Sequence, residues 1–576
     1  MNTIKKINHI LSASQKKKFF ILLFITSIVS FLDLVGIGAI LPVLIVLADP
    51  SFVESKYIIM LLKNFSFLNE ENFILYSITF LFLVFFIKTT VSIVLNFIRY
   101  KVLFGFYTKI SNRLMGNYLN LPYSKFIQLK VYEKSNVIKT EVEYFVMGVL
   151  DPFLLIILET FTILLIFGFL LYYDAESAIK VTISISTVMF VLLYFFGKKL
   201  KKLGVNRLRL NNNLQQQIYQ GLQGIKDIKL ASKENNFMEK FSGITSLWSQ
   251  VMGSINSWQN ITRHILELIT ISTFVFLSLI GIYNEQEFSD LIILLGIFAA
   301  AAFRIMPSLN RIITSYNSIK AVRPVIDSIY KDINLDELVS IKKNKIYDIS
   351  QNIQSIEINN LNFKFPTSKN PIIKDLNLKI KKGEYIGIFG KSGTGKTTFV
   401  DLFSGLLTLD SGSIKFDDKD ISIHKDLWRK NISYVPQSIY LNDESIKENI
   451  AFGKKLEEID SAKIIQSLED ARLLEFVNSL DRGVDTLVGE NGINLSGGQI
   501  QRLGIARALY RNAQVLIFDE STNSLDLQTE NEFMDTVNKI KGDRTILFIS
   551  HKISILQKCD KVYELYDKKL IQRNIK

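Results

Sequence analysis

Cysteine, histidine and tryptophan are nearly missing from this chain of 576 residues, which holds one Cys, four His and three Trp. A lone thiol, Cys559, excludes an intrachain disulfide framework and any zinc site that needs several thiolates. The histidines, His9, His264, His424 and His551, are scattered, which argues against a histidine-based metal cluster. Charge is also scarce, at 21% of residues, so the chain is not a disordered or highly solvated one. Apolar residues are abundant: 48% hydrophobic with 42 Phe, and a mean hydropathy of +0.22, which points to membrane spans. The net charge of +13 suits nucleic acid or an anionic membrane surface. Position decides between them. The clusters at Lys16–Lys18 and Lys198–Lys202 sit directly beside apolar runs, which is a membrane pattern, and no nucleic-acid partner is expected. The first apolar run starts at Phe19 and is too long for a signal-peptide core.

Six apolar segments precede residue 320, at about 19–48, 73–98, 145–173, 179–197, 261–283 and 291–315. Each is long enough to cross a bilayer as a helix. The third and fourth are separated only by residues 174–178, a tight hairpin. The connections at 99–144 and 198–260 are rich in Lys and Arg, whereas the fifth holds Glu285, Glu287 and Asp290 and no Lys or Arg. This alternation places both termini in the cytoplasm of a multi-pass protein. The two basic connections read as helical hairpins projecting into the cytoplasm, with tips near Pro122–Phe126 and Gln220–Gly224. In the first outer connection, residues 50–64 could form an amphipathic surface helix or an ordinary loop helix. The expected domains are a transmembrane domain over 1–320, a charged linker over 321–352 and an α/β domain over 353–576.

The α/β domain carries the chemistry. Tyr385–Phe389 reads as a buried strand and runs into Gly390-Lys391-Ser392-Gly393-Thr394-Gly395-Lys396-Thr397, followed by a helix from Thr398. This is a phosphate-binding loop in its proper strand–loop–helix context. Its glycines let backbone N–H groups wrap phosphates, Lys396 reaches the β- and γ-phosphates, and Thr397 can ligate Mg²⁺. A second apolar strand, Val515–Phe518, ends in Asp519 and Glu520. There Asp519 is expected to orient Mg²⁺, and Glu520 to polarise the attacking water.

Between these motifs lies Leu495-Ser496-Gly497-Gly498-Gln499. With it, residues 353–576 resemble the nucleotide-binding domain of ABC transporters, and the resemblance implies the remaining roles. Gln437 looks like the glutamine that senses the γ-phosphate and Mg²⁺. Residues 486–492 resemble the exporter loop before the signature, Asp526 belongs to a D-loop, and His551 resembles the switch histidine. Phe365 stands where an aromatic stacks on adenine, usually Tyr. Ile500 and the Ser521–Asn523 stretch depart from the common pattern without touching the chemistry. In this family the signature of one ATPase domain closes on the phosphate loop of another, so one copy of each implies a homodimer. Spans preceding the ATPase in one polypeptide resemble the exporter type, working by alternating access in the inner membrane.

Asp33, Lys88, Glu159, Arg263, Glu267 and Arg304 all lie within the apolar spans. Such charges usually face a cavity. They either neutralise one another, or Lys88, Arg263 and Arg304 face a central cavity suited to an anionic head group. The stretch Phe303–Tyr316 resembles the sixth span of bacterial flippases for lipid-linked oligosaccharides, in which basic cavity residues attract a polyprenyl pyrophosphate. The alternative is a multidrug, peptide or general lipid exporter.

Overall fold

The computed structural model describes residues 3–39, 73–173, 175–283, 288–335, 353–366, 368, 370–489, 492–521, 527–539 and 542–574. The segment 50–64, open between an amphipathic surface helix and a loop helix, lies outside the described residues, as do most of the linker and Asp526. The chain forms two compact units. One is Met1–Leu121 with Gln128–Ser340, and the other is Ile341–Lys576 with Pro122–Ile127.

The first unit is helical. After a short helix, Thr3–Ile10, come α1 (Ala13–Gly38), α2 (Phe73–Asn120), α3 (Asp151–Tyr173), α4 (Ala175–Gln223), α5 (Glu234–Tyr283) and α6 (Phe288–Ile333). Each of the six expected apolar segments falls wholly or in part on one of these helices; residues 40–48 of the first lie outside the described residues, and 145–150 of the third precede α3. Among the described residues Ala13–Gly36, Leu75–Asn120 and Val131–Tyr172 are long and apolar enough to cross a membrane. Helix α1 starts before the lysine cluster because Ser12 and Gln15 cap it reciprocally: Ser12 N–H donates to Gln15 Oε1 at 2.9 Å, and Gln15 N–H to Ser12 Oγ at 3.3 Å. The α3–α4 connection is tighter than expected, since helix resumes at Ala175. The second hairpin turns at Gly224, and a further short helix, Ile225–Leu230, follows it. The first hairpin tip forms the helix Tyr123–Phe126, which belongs to the second compact unit.

Helix α6 approaches its neighbours through small residues. A Cβ on Gly204 of α4 would stand 1.9 Å from the Ala321 carbonyl oxygen, and one on Gly148 would stand 2.8 Å from Val322 Cγ2. Two π-helical turns, Val137–Glu141 and Val146–Leu150, lie beside this contact in the chain leading into α3. Glu141 is fully buried there, held by Arg207 at 3.1 Å and by Asn136 and Asn211.

The second unit contains two sheets. An antiparallel one has the order β2-β1-β4-β5, from β1 (Ser355–Phe363), β2 (Ile373–Lys381), β4 (Ser411–Phe416) and β5 (Lys419–Asp420). The other has the order β10-β9-β3-β8-β7-β6, from β3 (Tyr385–Phe389), β6 (Ile432–Val435), β7 (Val515–Asp519), β8 (Thr545–Ile549), β9 (Lys561–Tyr566) and β10 (Lys569–Arg573). Strands β9, β3, β8, β7 and β6 pair in parallel, and β10 closes the edge antiparallel to β9. Strands β3, β7 and β8 are almost wholly buried and apolar, as parallel strands covered on both faces require. Helix α7 (Lys396–Phe403) packs Phe399 and Phe403 into one core with Trp428, and α8 (Gly497–Tyr510) packs Leu503 and Ile505 into another.

Candidate functional site

The carboxyl ends of β3, β6, β7 and β8 bring the expected ATP residues together. This is the end of a parallel sheet at which ligands bind. After β3 the chain turns through Gly393 and Gly395, with φ of 80° and 104°, conformations that favour glycine. A side chain at Gly390 would meet the Leu565 carbonyl oxygen at 2.7 Å, so the loop can lie this close to β9 only with glycine there. Helix α7 starts at Lys396 with no side-chain cap, which leaves its first-turn N–H groups for phosphate oxygens. Lys391, Ser392 and Thr397 are exposed along this loop, and Thr398 is half-buried. Thr394 Oγ1 donates to the Lys391 carbonyl at 2.9 Å and holds the turn.

The Lys396 ammonium is folded into this loop. It donates to the Gly390 carbonyl at 2.7 Å and lies 2.9 Å from His551 Nε2. Burial pushes its pKa down, opposed by the Glu520 and Asp519 carboxylates. His551 Nε2 also lies 3.4 Å from Glu520 Oε1. These two contacts are alternatives, since Nε2 accepts from an ammonium when bare and donates to a carboxylate when protonated. Gln437 Nε2 donates to Glu520 Oε2 at 2.9 Å, so Gln437, Glu520, His551 and Lys396 form one chain of contacts. Glu520 has a left-handed φ of 50°, an uncommon conformation for a non-glycine residue. Asp519 is the last residue of β7, is buried, and accepts from the Tyr434 hydroxyl at 3.1 Å. Burial pushes the Asp519 carboxyl up, and the neighbouring Asp401 is pushed up to about 6, mainly by burial and then by Asp519.

Two supporting residues escaped sequence reading. Tyr434 carries no motif of its own, yet its hydroxyl holds Asp519. Glu530, on α9 (Leu527–Lys539), is buried. It pairs with Lys552 and accepts from Ser554 Oγ at 3.0 Å, tying the turn that carries His551 to α9. Its only sequence signal is an acid one turn into a helix. Glu530→Gln should keep the Ser554 contact, weaken the Lys552 pair and lower kcat about tenfold with KM nearly unchanged. In a His551→Ala background the same change should cost no more. Additive losses in steady-state ATPase assays would show that Glu530 does not act through His551.

The signature lies elsewhere in the unit. Ser496 caps α8: its Oγ accepts from Gln499 N–H at 3.3 Å, while Ser496 N–H donates to Gln499 Oε1 at 2.7 Å. Its hydroxyl hydrogen can still be donated to a phosphate oxygen at the helix N-terminus, beside the N–H groups of Gly497 and Gly498. Among the described residues no hydrogen bond joins residues 496–499 to the phosphate loop. Phe365 follows β1 and sits edge-on to Phe363 at 5.0 Å between centroids.

The membrane unit holds a cavity of about 910 Å³, and Lys88, Arg263 and Arg304 all line it. So do Arg99, Arg311, Asp33, Glu159 and Glu267, which gives five cations against three carboxylates among the described lining residues. The two expectations for these charges, exposure to a cavity and mutual pairing, therefore coexist. Asp33, 1% exposed, lies 2.6 Å from Lys88 and also pairs with Arg304. Glu159 lies 2.6 Å from Arg311 and 3.8 Å from Arg304, and Arg263 bonds Glu267 at 2.9 Å. Arg99 lies 3.2 Å from Asp151. Arg99 and Arg311 were not singled out in the sequence, because both fall near the ends of apolar segments, where basic residues are ordinary.

Fold and site thus define a membrane-anchored P-loop ATPase. Residues 18–305 match the family of ABC transporter transmembrane regions, and residues 373–523 match the ABC transporter ATPase family. The chain belongs to the ABC transporters and is an ATP hydrolase coupled to transmembrane transport. It is 28% identical over 470 residues to the ATP-dependent lipid A-core flippase of Wigglesworthia glossinidia brevipalpis, covering 80% of this chain and 79% of that protein. It is 26% identical over 408 residues to the flippase of the same name from Photobacterium profundum, covering 70% and 68%. The solved structure of a bacterial Atm1-family ABC exporter with ATP bound superposes with a TM-score of 0.78. It covers 95% of this chain and 94% of that one at 18% identity, a likeness of fold.

Proposed function

We propose that the chain works as a homodimer that flips an anionic lipid-linked substrate by alternating access. A polyprenyl-pyrophosphate-linked oligosaccharide has the required chemistry. Both termini and the ATPase unit lie in the cytoplasm, and the spans lie in the inner membrane. The observation that carries the substrate class is the excess of cations over carboxylates in the membrane cavity. Charges at this depth are offset by opposite charge, so a positive surplus in the lining favours anionic over cationic cargo. The lipid named in the relatives' function supports a lipid-linked cargo.

In this reading the loop Gly390–Thr398 wraps the phosphates, Lys396 neutralises them and Phe365 stacks on adenine. Glu520 polarises the attacking water, and His551 and Gln437 position it against the γ-phosphate. Thr397, Gln437 and Asp519 suit Mg²⁺: they offer oxygen ligands, and Asp519 is oriented by Tyr434. Held by these residues, the ion would supply positive charge that offsets the charge of the phosphates. Ser496, Gly497, Gly498, Gln499 and Asp526 of one subunit complete the ATP site of the other.

Proteoliposomes test the substrate. A polyprenyl-pyrophosphate glycolipid should stimulate ATP hydrolysis and change leaflets in an ATP-dependent way. Stimulation and movement of a cationic drug or a peptide instead would replace this substrate class. A heterodimer of a Lys396→Ala chain and a Ser496→Arg chain tests assembly. Both defects then share one composite site, and the other site keeps nucleotide binding. Two damaged sites per dimer would mean that each domain uses its own signature.

A further inference from the structure

We propose that a notch between the N-terminal helix and α1 binds the phosphate of an anionic phospholipid, apart from the transport cavity. Lys5, Asn8, His9, Leu11 and Lys16 line a hollow of about 490 Å³. No carboxylate is among them, and none precedes Asp33 in the chain, although the first 32 residues hold five lysines. Lys6 is engaged, 2.5 Å from Asp327, but Lys5 and Lys16 form no ion pair among the described residues. Every cation of the transport cavity, by contrast, has a carboxylate within 4 Å. Among the described residues the notch is therefore a place where Lys5 and Lys16 converge with no carboxylate paired to either, the nearby Asp327 being taken by Lys6.

Its walls are held in place. Ile10 and Leu11 are buried in the same core cluster as Phe106, Val325 and Ile329. The His9 ring stands edge-on to Tyr330 at 5.3 Å. The capped start of α1, a helix of 26 residues, lies between Leu11 and Lys16 and adds the positive end of its dipole. The level is that of lipid head groups: the lysine run ends at Lys18, and the exposed apolar face of α1 begins at Phe20. On the N-terminal helix Ile4 is also exposed, an apolar side chain available to the acyl region. Basic residues at this level attract anionic lipids. The inference rests on the membrane placement of α1, and not on the identity of the transported substrate.

Native mass spectrometry of the full-length protein tests it, with phosphatidylglycerol, phosphatidylcholine and inorganic phosphate as separate additions. Phosphatidylglycerol should bind about tenfold tighter than phosphatidylcholine at one site per chain. The Lys5→Gln/Lys16→Gln double variant should lose that preference, while Arg304→Gln, altered in the cavity, should keep it. An unchanged preference in the double variant would overturn the proposal. So would its loss in Arg304→Gln alone, which would place the lipid in the cavity. Retention of inorganic phosphate with no preference between the lipids would also overturn it, leaving a site for soluble anions.

Discussion

Glu520→Gln should hydrolyse ATP at least about 100-fold more slowly than the parent while still binding it. The amide keeps the size of the carboxylate and can still meet Gln437 and His551, which now lie 2.9 and 3.4 Å from the two Glu520 oxygens. The phosphate loop and Asp519 are untouched. What is lost is the negative charge that the proposed mechanism uses to polarise water. Steady-state ATPase assays beside equilibrium nucleotide binding provide the check. Turnover near the parental rate would remove Glu520 as the base. Weakened binding with parental turnover of bound nucleotide would make it a binding residue.

The second large effect concerns Asp33, whose side chain is 1% exposed between Lys88 and Arg304. Asp33→Leu removes the shared partner of two cations and should cost about 3–5 kcal/mol, seen as lower yield and melting temperature. Arg304→Gln should behave differently. Asp33 keeps Lys88 at 2.6 Å and Glu159 keeps Arg311 at 2.6 Å, so no buried carboxylate is stranded. That variant should fold and hydrolyse ATP, yet move an anionic lipid-linked substrate poorly. A folded Arg304→Gln protein with normal transport would remove Arg304 from the substrate path. An Asp33→Leu protein as stable as the parent would mean that water, rather than Asp33, compensates these cations.

The sequence by itself determined whatever depends on neighbours along the chain. The phosphate loop is eight consecutive residues between a buried strand and a helix, so its conformation and its phosphate chemistry are local. The Asp519–Glu520 pair was legible for the same reason, as two acids at the end of an apolar strand. Six long helices followed from apolar runs longer than any strand needs. The charges inside those runs were visible because a charge is costly there.

Only the tertiary structure decided which groups meet. Lys88 and Asp33 are 55 residues apart, and Arg304 and Asp33 are 271 apart. Whether they touch depends on the rotation and vertical register of α1, α2 and α6, and hydropathy carries no information about either. The same holds for Arg311, which reaches Glu159 only because α6 packs along α3. Tyr434 bonds Asp519 because β6 and β7 run side by side, and Glu530 reaches Lys552 and Ser554 across 22 and 24 residues. Motifs name the groups that perform the chemistry. The contacts that orient those groups lie far along the chain and exist only once the helices and strands have packed.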